Sequence, residues 1–338
     1  MKLRQLKTAI AVAAFTALGV GTAQAKDIYK HGSLAPGMSP YIINTTWANI
    51  ANKYVKGVEV QIVATGPATR HQLLATQDKM DFFMDSPITY WLMATQRGPF
   101  KKIKNGKELL KNHCGIFAYE LGPYHITTYA SAEIRKVEDL KGKKVFIGPP
   151  GGSATRSVGM ILKQHSGLEV GKDFEQAKLG WGAAIQAFQD RKIDVLIMPT
   201  NYPSPAIQQV SLTNEIYIVS LDPARIDKMP VAKSIGRTQA KIPADAYGKN
   251  QKNTETVYTL GATVGLGTRC SMPEDVIYRM TKAFWEHLDE VHAVAKWMPN
   301  TIALDERSLS GIPEPLHPGA KRYYDEIGAK YKLFQLKK

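Results

Sequence analysis

Residues 141–163, KGKKVFIGPPGGSATRSVGMILK, carry an apolar run into Gly148-Pro149-Pro150-Gly151-Gly152. The hydroxyls of Ser153 and Thr155 follow, and then a helical pattern begins. Backbone N–H groups at a helix start have no intrahelical partner, so this is the layout of an anion-binding loop. A nucleotide P-loop requires Lys-Ser/Thr after the last glycine, and here no lysine follows the loop. Thr155-Arg156-Ser157-Val158-Gly159 falls short of the GxSxG nucleophile elbow by its first residue and lies within the predicted helix start. The expected ligand of the Gly151 and Gly152 backbone, Ser153 and Thr155 is therefore a carboxylate; ordinary helix capping by either hydroxyl is the alternative. Arg70 and Arg156 are candidates for a bidentate contact with it, or else solvated surface residues.

Other chemistries find no support. His287 and His292 lie five apart, about 140° round a helix, and do not face one metal. No His-Glu-x-x-His is present, and no nucleophile–base constellation or cofactor motif emerges. A secreted hydrolase using Ser157 or Ser39 is the rival reading from another class. The two cysteines, Cys114 and Cys270, fit one disulfide or two buried thiols equally well, since spacing fixes no geometry.

These residues need a scaffold. Val58–Val63, Asp81–Met84, Lys144–Ile147 and Asp194–Met198 read as buried apolar strands, alternating with helices through Leu73-Leu74, Val158–Gln164 and Ala183–Phe188. Such alternation predicts parallel sheets covered by helices. Gln77-Asp78-Lys79-Met80-Asp81 before one strand parallels Gln189-Asp190-Arg191-Lys192-Ile193-Asp194 before another, which suggests two similar α/β lobes. Residues 115–130 and 256–266 are β-prone stretches suited to cross between them. The expected lobes are 26–125 with 262–338, and 126–261, with the ligand cleft between them at the carboxyl ends of the strands. Ser271-Met272-Pro273-Glu274 reads as a capping box, and His317-Pro318-Gly319-Ala320 as the capping turn of the last helix.

Lys2, Arg4 and Lys7, an apolar stretch to Thr22 and Ala23-Gln24-Ala25 form a signal-peptide pattern with cleavage after Ala25. Export to the periplasm follows. Those three cations account for three of the +14 formal charges, leaving +11 on the remainder. No basic run interleaves with aromatics, so nucleic acid is not an expected partner; a positive field draws in small anions instead.

Leu316-His317-Pro318-Gly319-Ala320-Lys321-Arg322-Tyr323-Tyr324-Asp325-Glu326-Ile327-Gly328 resembles the C-terminal HPGAxxYYxExG of the TAXI (TRAP-associated extracytoplasmic immunogenic) proteins. Asp139-Leu140-Lys141-Gly142-Lys143 running into the opening loop, Ala64-Thr65-Gly66 and Glu274–Tyr278 also match that family. The resemblance implies a two-lobed, monomeric binding subunit that closes over a small organic anion and hands it to the membrane permease subunits of a TRAP transporter. The periplasmic component of an ABC importer is the rival within binding proteins. Carried over residue by residue, the resemblance points to Ser153 and Thr155, to Thr65, to Ser33 and Tyr41 around the first loop, and to Asn201. Ser39, Ser86, Trp181 and Tyr202 complete the candidate set; the aromatics suit an apolar part of the ligand or core packing. Ala154 stands where the family has Gly, so the resemblance does not carry over a ligand.

Overall fold

The computed structural model describes residues 26–103, 105–234, 236–313 and 315–334; the expected signal peptide, residues 1–25, lies outside them. Strands of two to eight residues build the two lobes. In the first lobe these are β1 (Asp27–Gly32), β2 (Val58–Val63), β3 (Phe82–Asp85) and β4 (His113–Glu120). The chain then crosses through Leu121-Gly122-Pro123 into the second lobe. There it forms β5 (Tyr124–Tyr129), β6 (Lys144–Phe146), β7 (Glu175–Gln176), β8 (Val195–Pro199) and β9 (Ile216–Ile218). β10 (Arg237–Ile242) and β11 (Val257–Arg269) return it to the first sheet, ordered β10-β11-β3-β1-β2 with β4 also on β11; the second is ordered β7-β6-β8-β5-β9. The protein is a two-lobed α/β fold joined by two crossing segments. β11 is the second of them: Thr259 Oγ1 donates to Tyr124 O at 2.8 Å, while Gly265 and Gly267 pair with β3.

Within each lobe the order strand, helix, strand, helix, strand builds a parallel core, β2-β1-β3 and β7-β6-β8. The repeated Gln-Asp sequence has the same work in both. Asp81 accepts from Lys30 N at 2.8 Å, and Asp194 accepts from Lys144 N at 2.7 Å. Each aspartate's own N–H returns to the same lysine's carbonyl, at 3.0 and 2.9 Å. In both lobes a carboxylate at the entry to the third strand takes the backbone N–H of a first-strand lysine and ties the two strands together.

The topology sets which loops of the two lobes correspond. The loop at 148–152, after β6, matches 32–38, after β1; Ala64-Thr65-Gly66-Pro67, after β2, matches the loop before Trp181. The helix after β6 also begins earlier than its apolar spacing predicted, running Ser153–Ser166.

The C-terminal motif is a packing device. His317 Nδ1 accepts from Gly319 N at 3.1 Å, capping the helix Pro318–Glu326, and Nε2 faces Met272 O at 3.2 Å. A Cβ on Gly319 would meet Glu274 O at 2.2 Å, so glycine lets this helix press against Glu274–Glu286. Tyr324 Oη then donates to Ile116 O and accepts from Trp285 Nε1. The capping box expected at Ser271 does not form. Its hydroxyl donates to Asp78 at 2.6 Å, leaving Pro273 at the N-cap without a side-chain bond. Cys114 and Cys270 are joined in a disulfide that ties β4 to the end of β11.

Candidate functional site

Parallel strands point their carboxyl ends at the cleft, and the helices that follow start there. The helices Ala68–Thr76, Ser153–Ser166 and Trp181–Gln189 each begin with no side-chain cap bond and no acidic residue in the first turn. Their positive ends are neither occupied nor neutralised by the chain itself. Pro67 and Ala68, Gly152 to Ala154, and Trp181 from these junctions line one cavity of about 40 Å³ between the lobes. Around it stand Leu34, Met84, Ile88, Leu121, Ala262 and Val264, with the hydroxyl-bearing Ser86, Ser157, Tyr124 and Thr263.

Its one charged residue is Arg237, the first residue of β10. Arg237 Nη1 donates to Tyr124 Oη at 3.0 Å, and the guanidinium lies 5.3 Å over that ring. Nε and Nη2 are buried and have no hydrogen-bond partner among the described residues. Buried polar groups are nearly always paired, and a buried cation with two free donors is costly. Those two donors share one edge of the guanidinium, the fork that a carboxylate accepts with both oxygens. Among the described residues no Asp, Glu or His lines the cavity, so none of them neutralises this charge there or serves as a base for Ser153 or Ser157.

The lobes meet closely around this space. Thr69 Oγ1 donates to Gly151 O at 2.9 Å across the cleft. Leu34, Ala35 and Met38 share a buried cluster with Trp181, Ala184 and Ile185, and the Trp181 ring stands edge-on to Phe146 at 5.2 Å.

A family model described as the NMT1-like family matches residues 37–328. The chain belongs to the NMT1-like family. Among solved structures it is similar to a TRAP periplasmic solute-binding protein of Ralstonia eutropha H16 with bound (S)-2-acetolactate. That match has 14% identity over 90% of this chain and 86% of the other, with a TM-score of 0.45. It is also similar to the alkanesulfonate-binding protein SsuA of Xanthomonas axonopodis pv. citri bound to MOPS, at 13% identity over 89% and 84%, TM-score 0.45. A third match is a binding component of an ABC phosphonate transporter from Pseudomonas aeruginosa, at 12% identity over 80% and 78%, TM-score 0.48.

In this NMT1-like chain the sequence candidates divide by place. Ser86, Gly152, Ser153 and Trp181 line the cavity. Thr155 lies in the same first turn, but its hydroxyl donates to Pro149 O at 2.7 Å. It is held there because the loop turns at Gly148 (φ +119°), where a Cβ would meet Thr155 N at 2.8 Å. Arg70, Arg156 and Thr65 are exposed outside the lining. Thr65 O instead accepts from His71 Nε2 at 2.5 Å. Ser33 accepts from Asn44 Nδ2 at 3.0 Å within the first lobe, and Tyr41 is half-buried on the helix Ser39–Tyr54.

Ser39, Asn201 and Tyr202 belong to the hinge. Ser39 Oγ donates to Leu121 O at 3.1 Å and accepts from Asn201 N at 3.0 Å, while Ser39 N donates to Thr200 Oγ1. A hydroxyl so engaged is no nucleophile. Asn201 and Tyr202 line a separate groove with Glu120 and Trp297. Beside them, His125 is buried between Pro123 O (Nδ1, 3.0 Å) and Tyr247 Oη (Nε2, 2.9 Å). Burial pushes its pKa down to about 4, so it is neutral, with Nδ1–H donating and Nε2 accepting.

Sequence reasoning missed Arg237, Tyr124, Ser157 as a lining residue, and Thr263. Arg237 sits in a polar strand with no motif around it; its only signal is pairing with Ala262 on β11, a stretch that did read as crossing.

Proposed function

We propose that this chain is the periplasmic solute-binding subunit of a TRAP transporter of the TAXI type, binding a small organic anion and delivering it to membrane permease subunits. The observation that carries the reading is Arg237, a half-buried cation of the interlobe cavity wall whose Nε and Nη2 are buried without partners among the described residues. Three helix N-termini without acidic first turns add to the positive potential there. Anion contacts from both lobes favour the closed state over the open one, so capture and closure are one equilibrium. The C-terminal HPGA…YY resemblance supports the TAXI assignment over an ABC importer. The signal peptide ending at Ala25, the lobe limits 26–125 with 262–338 and 126–261, and a monomeric state belong to the same proposal.

A thermal-shift screen of the protein purified without residues 1–25, against carboxylates, amino acids, dicarboxylates and aromatic acids, tests it. Saturation at 100 times the dissociation constant stabilises the bound state by about 2.7 kcal/mol. At least one organic anion should raise the melting temperature of the wild type and leave Arg237→Met unmoved. No response to any organic anion would overturn the reading.

A further inference from the structure

The cavity wall restricts which anion can be held, and from it we infer that the ligand is a compact monocarboxylate with an apolar body, carrying neither an ammonium nor a second carboxylate. This inference rests on the organic-anion reading above and narrows it.

Three features of the wall support it. First, charge: among the described residues Arg237 is the single ionised one lining the cavity, and no Asp or Glu accompanies it. One side-on fork, Nε with Nη2, satisfies one carboxylate, because Nη1 is already committed to Tyr124. An amino acid's ammonium would enter a wall holding no carboxylate and ringed by helix N-termini. A second ligand carboxylate would lie in the same closed space without a second cation. Either leaves a buried charge unpaired, the costliest way to fill a site.

Second, composition: Leu34, Met84, Ile88, Leu121, Trp181 and Val264 present aliphatic and aromatic surface from both lobes. A polyhydroxylated sugar acid needs a donor or acceptor for nearly every hydroxyl; with Ser153 and Ser157 at the carboxylate, Tyr124 bonded to Arg237 and Ser86 capping its own helix, Thr263 is the one lining hydroxyl left for them among the described residues. Third, size: in the closed arrangement held by Thr69 and Gly151, the cavity of about 40 Å³ has room for a few water-sized groups. Even a compact organic anion must part the lobes slightly to enter, and an extended ligand would require far more.

The head would sit in the Arg237 fork, near the Ser153 and Ser157 hydroxyls and the start of the helix Ser153–Ser166. The tail would contact Met84, Ile88 and Trp181. Specificity here comes from charges the wall omits as much as from the one it contains.

Titration calorimetry of the wild-type protein with matched sets tests this. 3-Methylbutanoate is set against valine and 3-methylglutarate, 4-methylpentanoate against leucine, benzoate against phthalate, and all three against gluconate. At least one monocarboxylate should bind, with its amino-, carboxy- or polyhydroxy-bearing counterparts at least 100-fold weaker. Arg237→Met should lose the monocarboxylate by a similar factor, with the melting curve reporting that the variant folds. If valine, leucine, a dicarboxylate or gluconate binds as tightly as the monocarboxylates, the monocarboxylate inference is overturned while the organic-anion reading survives. If no organic anion of any set binds, that broader reading fails as well.

Discussion

Replacing Arg237 with methionine should stabilise the ligand-free protein, the reverse of what removing a large buried side chain ordinarily does. Two guanidinium donors, Nε and Nη2, are buried without partners in the wall of the closed cleft. Leaving a buried donor unpaired costs about 1–3 kcal/mol, and more on a charged group. Against this stand one hydrogen bond from Nη1 to Tyr124 at 3.0 Å, worth about 1.5–3 kcal/mol for a charged donor, and the stacking of the guanidinium over that ring, about 1 kcal/mol. Methionine keeps much of the volume and fills the space flexibly. At the midpoints of these ranges the balance is a gain of about 1 kcal/mol, or an upward shift of about 1.5 °C at an unfolding entropy of about 2.1 cal/mol/K per residue. Scanning calorimetry of both proteins in Tris chloride, free of organic anions, measures it. Arg237→Lys, which keeps the charge, should show no gain. A melting temperature several degrees lower in Arg237→Met would refute the reasoning and make Arg237 a structural residue.

Three further outcomes follow from named contacts. Burial holds His31 at a pKa of about 3, and His125 and His317 at about 4. Since the unfolded chain takes up these protons near pH 6.5, stability is full above that value and falls as pH drops toward 4. Each histidine should contribute a loss of about 2 kcal/mol at pH 5, read as a lower urea midpoint than at pH 7.5; an unchanged midpoint contradicts it. Removing the disulfide in a Cys114→Ala, Cys270→Ala double variant frees a loop of 156 residues. Chain entropy assigns that loop about 5 kcal/mol, so urea unfolding should show a loss of several kcal/mol, and a loss below about 1 kcal/mol would rule the entropic account out. Thr69→Val deletes the cross-lobe bond to Gly151. At about 1 kcal/mol for the bond, the open state should gain roughly fivefold and anion affinity weaken by up to that factor; unchanged affinity would show that the bond does not latch the cleft.

Much of the scaffold was legible because its signals are local. Apolar runs such as Val58–Val63 could only be strands, and the paired Gln-Asp segments marked equivalent turns, where Asp81 and Asp194 proved to take matching bonds. The strand–loop–helix junction at Gly152 was likewise readable, since a strand end feeding a helix start is a sequence pattern; the one at Trp181 was not, because the strand before it, Glu175–Gln176, is two polar residues long. What was not legible depended on which way a side chain turns or on partners far along the chain. Thr155 bends back to Pro149, and Arg70 and Arg156 face solvent within a residue or three of lining positions Ala68 and Ser153. Ser39 and Asn201 looked like ligand contacts yet join each other at the hinge, 162 residues apart in sequence. Arg237 gains its role from the register that sets it opposite Ala262 and beside Tyr124, which no short motif encodes.

Closure driven by an anion at Arg237 is measured most directly by the distance across the cleft. Spin labels at exposed positions 70 and 156, on facing helices of the two lobes, leave the disulfide-bonded cysteines unlabelled. Pulsed dipolar spectroscopy should record a distribution that narrows to its shortest component when the wild type binds its organic anion, and that does not change in the Arg237→Met protein. A distribution indifferent to every organic anion, or one that contracts equally in the variant, would contradict capture by closure on that residue.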